Sequence, residues 1–353
     1  MSPSQVDGAP TRVALLAAFA ALYLIWGSTY LAIRFAIETL PPLLMAGFRF
    51  LVAGTLLMAW VRLRGGPRPE RVHWRNAWIT GGLLLLGGNG AVVWAQQWIP
   101  SGLAALLVST VPLWMVLVDW LWGKGSAPTL GLMVGLLWGM LGVAILVGSA
   151  AGDAAAGGAS PLAPVAAVVV LGGAFSWAVG SVFARYAGSP PSPGLGTAMQ
   201  MLAGGTLLTG AGLLAGEAAG VDPASFSLRS LLALGYLVVF GSLVGFSAYI
   251  WLLKVSTPAR VSTYAYVNPA VALLLGWALA GEPLTRGIVL GSGVVLSAVM
   301  FIATRKGPGR PPGSGAPGPR EEAAGDGQEL GEGEGTPVGD PHPGGLPAVH
   351  PRV

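Results

Sequence analysis

From residue 13 to residue 304 the chain alternates long apolar runs with short polar breaks. A helix that crosses a bilayer needs about 20 mostly apolar residues. Ten segments meet that requirement: approximately 13–33, 42–61, 77–97, 101–122, 130–149, 162–183, 195–215, 231–252, 259–280 and 287–304. The breaks are rich in Pro, Gly or charge, as at Pro41–Pro42, Pro100–Ser101, Pro190–Pro193 and Thr257–Pro258. The first run is followed by Arg34 and a second run, with no small-residue cleavage site after a short apolar core. It reads as a retained span and not as a signal peptide.

The pattern also repeats. WGSTYLAIRFA (26–36) lies over WAVGSVFARYA (177–187) at a shift of 151 residues, pairing Trp26 with Trp177 and Arg34 with Arg185. At the same shift RFLVAGTLL (49–57) lies over QMLAGGTLL (200–208), with five of nine positions identical. At a shift of 157 residues the fourth segment lies over the ninth, so that Pro112 meets Pro269 and Trp120 meets Trp277. Each half holds five spans. An odd number turns the second half upside down relative to the first. The predicted fold is therefore all-α and integral to the membrane, ten transmembrane helices as two inverted five-helix repeats. The predicted divisions are a cytoplasmic N-terminus (1–12), a first repeat (13–149), a linker (150–161), a second repeat (162–304) and a tail (305–353).

Composition supports a lipid solvent. Charged residues make up 10% of the 353 positions and hydrophobic residues 53%, against about 25% charged in soluble proteins. The tail differs in kind: residues 305–353 carry 5 basic and 7 acidic residues among Gly and Pro. Such a segment buries too little apolar surface to offset its ordering entropy and reads as disordered. Lys and Arg crowd the connections predicted to be cytoplasmic, with Arg62, Arg64, Arg68, Arg71 and Arg75 in one loop. The positive-inside rule then places both termini in the cytoplasm.

Cysteine is absent, and His73, His342 and His350 all lie outside the apolar segments. Thiolate metal sites and intramembrane histidine relays are thereby excluded, and no metal or other cofactor is expected. No nucleotide-binding or nucleic-acid-binding motif is present.

Polar groups inside spans are the functional candidates. Arg49 sits a third of the way into the second span, with Gln200 at the equivalent point of the other half. It has two readings, a counter-charge for an anionic substrate group or a side chain that snorkels and satisfies a helix end. Asp119 lies near the cytoplasmic end of the fourth span; its readings are proton coupling or an interfacial pair with Lys124 or a basic loop. Asn89 stands mid-span among glycines, facing either substrate or a neighbouring helix. Pro112 and Pro269 mark kinks at one level in both halves, a feature tolerated where a cavity or neighbour satisfies the freed backbone. Asn268, with Tyr264 and Tyr266, forms the most polar-aromatic cluster in the membrane. Trp26 and Trp177 are deep and repeated, and read as cavity wall, whereas Trp94, Trp98, Trp120, Trp122 and Trp251 read as an interfacial belt.

WGSTYLAIRFAIETLPPLLMAGFRFLVAG (26–54), PSGLAALLVSTVPLW (100–114) and PARVSTYAYVNPAVALLLGWALAGEPLT (258–285) resemble the EamA-type members of the drug/metabolite transporter superfamily. The resemblance extends over residues 12–304. It implies ten spans in two repeats and a central cavity lined by the first, third, fourth, sixth, eighth and ninth spans. By that resemblance Trp26, Asn89, Trp177, Tyr264 and Asn268 would face the cavity, and Arg49 would sit in a flanking gate helix. The chain departs from the pattern where the first-half Gly-Glu motif reads Gly123-Lys124.

These features predict a secondary transporter of the plasma (inner) membrane. It would export small metabolites, amino-acid-like compounds or drugs by alternating access, with substrate-binding residues Trp26, Arg49, Asn89, Trp177, Tyr264 and Asn268. Its partners would be a small-molecule substrate and the lipid bilayer; homo-oligomerisation stays open. A non-transporting sensor or scaffold acting through the tail is the alternative, and an integral-membrane enzyme would need a polar catalytic constellation that these segments lack.

Overall fold

The computed structural model describes residues 11–122, 130–187, 190, 192–255 and 264–304. The tail, with its expected disorder, lies outside the described residues, as does Lys124. The described residues form ten long helices, two short 3-10 turns (Glu217–Gly220 and Pro223–Ser225) and no strand: α1 (Arg12–Ala36), α2 (Pro42–Leu63), α3 (Arg71–Ala95), α4 (Ser101–Leu121), α5 (Leu130–Ala155), α6 (Ala163–Tyr186), α7 (Pro193–Leu214), α8 (228–255), α9 (Tyr264–Ala280) and α10 (Arg286–Thr304). Seven of them are long and apolar enough to cross a membrane. Helices α9 and α10 have shorter apolar stretches. Helix α7 is long enough but is diluted by six glycines, three threonines and Gln200.

That dilution has a packing reason. Gly47 of α2 abuts Thr209 and Gly205 of α7, Gly54 abuts Leu202, and Gly212 abuts Leu44. Positions rising along α2 meet positions falling along α7, so the two helices run antiparallel. They are also equivalent in the repeat. A Cβ built on Gly54 would stand 3.0 Å from the Leu202 nitrogen, and one built on Gly205 would stand 2.9 Å from the Leu51 nitrogen. Adding 151 to Gly54 and subtracting it from Leu202 turns the first contact into the second. Equivalent helices packed antiparallel through equivalent contacts are what two inverted halves produce. In lipid, where apolar tails compete with apolar side chains, such close small-residue packing supplies much of the helix–helix attraction.

The halves interlock elsewhere by the same rule. Helix α1 packs on α8 and α9, and its counterpart α6 packs on α3 and α4; α5 pairs with α10. Two helix ends are closed by a recurring device. Gly216 and Gly281 adopt left-handed backbone (φ 78° and 64°) just past α7 and α9, a conformation that costs glycine nothing. The glutamate that follows each turns back onto another helix. Glu217 accepts from the N–H groups of Leu43 (3.1 Å) and Leu44 (2.9 Å) at the start of α2. Glu282 accepts from Ser101 (2.7 Å) and Gly102 (3.1 Å) at the start of α4. Both carboxylates satisfy orphan donors at a positive helix end.

Candidate functional site: a cavity between the two halves

A cavity of about 400 Å³ lies between the halves, lined by residues of α1, α2, α3, α4, α6, α8 and α9. Trp26, Arg49, Asn89, Trp177, Tyr264, Asn268, Pro112 and Pro269 all line it. Six of its helices are those the resemblance implied. The seventh, α2, corrects that expectation: Arg49 and Phe50 form part of the wall and do not stand apart in a flanking gate. Gln200 does not join its repeat counterpart. It lines a small separate pocket with His73, Asn76 and Thr80.

Local backbone chemistry builds the walls. Residues 82–90 of α3 and 237–244 of α8 are π-helical. Wide turns of this kind leave backbone groups free for other partners and recur at functional sites. Here each segment offers a carbonyl to the first helix of the other half. The Trp26 indole Nε1 donates to the Gly241 carbonyl at 3.3 Å, and the Ser176 hydroxyl donates to the Leu83 carbonyl at 2.8 Å. Glycine makes the approach possible: a Cβ on Gly88 would lie 2.8 Å from the Trp177 ring. In sequence these stretches read as ordinary apolar spans, with nothing to mark the π segments.

The two prolines behave differently. At Pro112 helix α4 is interrupted between Val108 and Val111. The hydroxyls of Ser109 and Thr110 donate back to the carbonyls of Leu106 and Leu107, each at 2.6 Å. Pro269 stays inside a continuous α9. Next to it, the Asn268 amide nitrogen donates to the Tyr264 carbonyl (3.3 Å) and to the Tyr23 carbonyl of α1 (3.2 Å). Asn268 thus ties α9 to α1 while bordering the cavity.

An aromatic group forms one wall. Trp26 meets Tyr264 edge-on at 5.1 Å and Tyr249 at 5.4 Å. Val92, Ala105, Val108, Met115 and Val116 supply apolar lining. Deep in the wall, Arg49 is 4% exposed, and its Nε donates to the Ser242 hydroxyl at 3.0 Å. The Asn89 Oδ1 is buried with no hydrogen-bond partner among the described residues.

Asp119 and Arg185 occupy one end of the cavity, paired at 3.4 Å, with side chains 23% and 54% exposed. The Tyr186 hydroxyl donates to Asp119 at 2.8 Å. Among the described residues Asp119 is held by Arg185 and Tyr186 of α6; Lys124, one partner the sequence suggested beside a basic loop, lies outside them. Lining residues toward the other end, Ile33, Val92 and Ala105, are buried. The cavity is therefore reached from the Asp119 end.

The EamA-like transporter family matches this chain twice, over residues 12–148 and 164–304. The chain belongs to the EamA-like transporter family. The uncharacterized inner membrane transporter YedA of Escherichia coli (strain K12) is 42% identical over 293 residues, spanning 83% of this chain and 91% of that protein. The uncharacterized transporter YvbV of Bacillus subtilis (strain 168) is 26% identical over 299 residues, spanning 84% and 92%. Protein PecM of Dickeya dadantii (strain 3937) is 26% identical over 282 residues, spanning 79% and 88%. A crystal structure 20% identical in sequence superposes with a TM-score of 0.53 over 82% of this chain and 97% of its own, a likeness of fold. EamA membership makes the chain a multi-pass membrane transporter of small molecules, and its helices carry the apolar surface that lipid requires.

Proposed function

We propose that the chain is a secondary transporter of the inner membrane that moves small metabolites or drugs outward by alternating access. One observation carries the reading: a cavity of about 400 Å³ walled by both members of an inverted repeat. Two halves related in this way exchange their conformations when they rock, so a site between them faces each side in turn. The volume suits a small organic molecule. Trp26, Arg49, Asn89, Trp177, Tyr264 and Asn268 are the proposed contacts. The loop charges put both termini in the cytoplasm, and with them the accessible Asp119 end of the cavity, which favours loading from inside. The inner-membrane assignment is supported by the name of the YedA relative.

The absence of cysteine from the chain makes a direct test available. Val108 lines the cavity. Val108→Cys in vesicles of known orientation should react with an impermeant maleimide from either side, faster from the cytoplasmic side. Labelling from one side alone, under every substrate and gradient condition, sinks alternating access.

A further inference from the structure

Arg49 lacks the partner that its position demands. A guanidinium at membrane depth ordinarily pairs with an acid or with backbone carbonyls. Here Nε is taken up by Ser242 and Cζ lies 4.7 Å from the Phe50 ring centre. No carboxylate approaches it among the described residues, and its terminal nitrogens make no hydrogen bond there. Four acids among the described residues are committed elsewhere. Asp119, the one carboxylate among the described lining residues, is held by Arg185 and Tyr186. Glu217 and Glu282 sit on helix starts, and Glu38 pairs with Arg229. The segments 123–129 and 256–263 contain no Asp or Glu. The terminal-nitrogen edge is thus left to the cavity that Arg49 lines.

We propose that the cargo supplies the missing counter-ion: the transported molecule is a lipophilic carboxylate without an ammonium group. Its planar oxyanion docks on the two terminal nitrogens of Arg49, the geometry that a guanidinium fork matches. Its apolar body lies between Trp26 and Trp177 on one side and Val108 and Met115 on the other. An ammonium would find no free carboxylate, since Asp119 is already engaged. This class is narrower than the metabolites and drugs of the transport reading, and it rests on that reading.

Three probes share one body and differ only in charge: 3-phenylpropionate, phenylalanine and phenethylamine. Binding of each to the full-length purified chain at neutral pH is measured by calorimetry, and uptake is measured in proteoliposomes. The anion should bind most tightly and the amine least. Arg49→Gln should weaken 3-phenylpropionate by about tenfold or more and bind phenethylamine no more weakly than wild type does, since a like charge has been removed. Arg49→Lys should recover only part of the loss, because a point charge on a flexible stem replaces a fork. Should Arg49→Gln fail to fold, the ranking of the three probes in wild type and in Arg49→Lys decides. Equal or tighter binding of phenethylamine overturns the proposal, as does an Arg49→Gln protein that keeps full affinity for 3-phenylpropionate. Binding of none of the three, by a protein whose Val108→Cys form labels from both sides, overturns the substrate class alone. One-sided labelling instead removes the transport reading beneath it.

Discussion

Arg34 Nη1 donates to the Gln96 carbonyl at 2.8 Å, tying the end of α1 to the end of α3. Its repeat counterpart, Arg185, makes no such link to α8 among the described residues and rests on Asp119 of α4 at 3.4 Å. The two arginines stand at opposite ends of the cavity because the halves are inverted. The lining residues Ile33, Val92 and Ala105 toward the Arg34 end are buried, while at the Arg185 end the side chains of Asp119 and Arg185 are 23% and 54% exposed. Among the described residues one link is made and its repeat counterpart is not, the asymmetry that the proposed alternating access expects of a single state.

Arg34→Gln should therefore loosen the closed end. The removed bond is charge-assisted and worth about 1.5–3 kcal/mol, enough to shift a two-state equilibrium roughly tenfold or more. Labelling of Val108→Cys from the outer side should rise by several-fold in the Arg34→Gln background. Unchanged outer labelling would show that Arg34 merely packs.

The α2–α7 seam yields a second expectation, on stability. A Cβ at position 205 would meet backbone, the Leu51 nitrogen at 2.9 Å and the Gly47 carbonyl oxygen at 3.1 Å. Neither can swing aside as a side chain tip would. Gly205→Ala should cost about 1–3 kcal/mol through overpacking and lower the melting temperature in detergent. Gly210→Ala, on the same helix with nothing within 4 Å, should be neutral or slightly stabilising, since alanine favours helix. Equal melting temperatures for the two variants would contradict this packing.

Much of this architecture was legible in the sequence because a repeat constrains two places at once. Trp26 with Trp177, and Gly54 with Gly205, carry the pseudo-symmetry in one-letter code. What stayed hidden depends on relations that no periodicity encodes. The π segments at 82–90 and 237–244 read as ordinary apolar helix, because one extra residue per turn leaves hydrophobicity unchanged. The local sequence offered Asp119 only Lys124 or an unspecified basic loop, and no periodicity could name Arg185, which the fold brings from 66 residues away. Matching Arg49 with Gln200 located a level in the membrane but not a direction, and only Arg49 points to the cavity. Glu217 and Glu282 lie between spans, and only the tertiary fold shows the helix ends that they cap.

Asn89 gives the last expectation, in which stability and activity part company. Its Oδ1 is buried without a partner among the described residues, and a polar group left in that condition costs about 1–3 kcal/mol. If the amide served only the fold, its removal would break a contact and destabilise the protein; the structure shows no such contact for Oδ1. Asn89→Ala should thus leave the melting temperature unchanged or raise it, helped by the better helix propensity of alanine. Transport per folded molecule should fall, because the amide proposed to meet the cargo is gone. This is the usual trade at a binding site, where a group is kept for function at some expense in stability. Melting curves and proteoliposome flux measured on the same preparation separate the cases. A variant that melts lower yet transports normally would mark Asn89 as a packing residue with no part in binding.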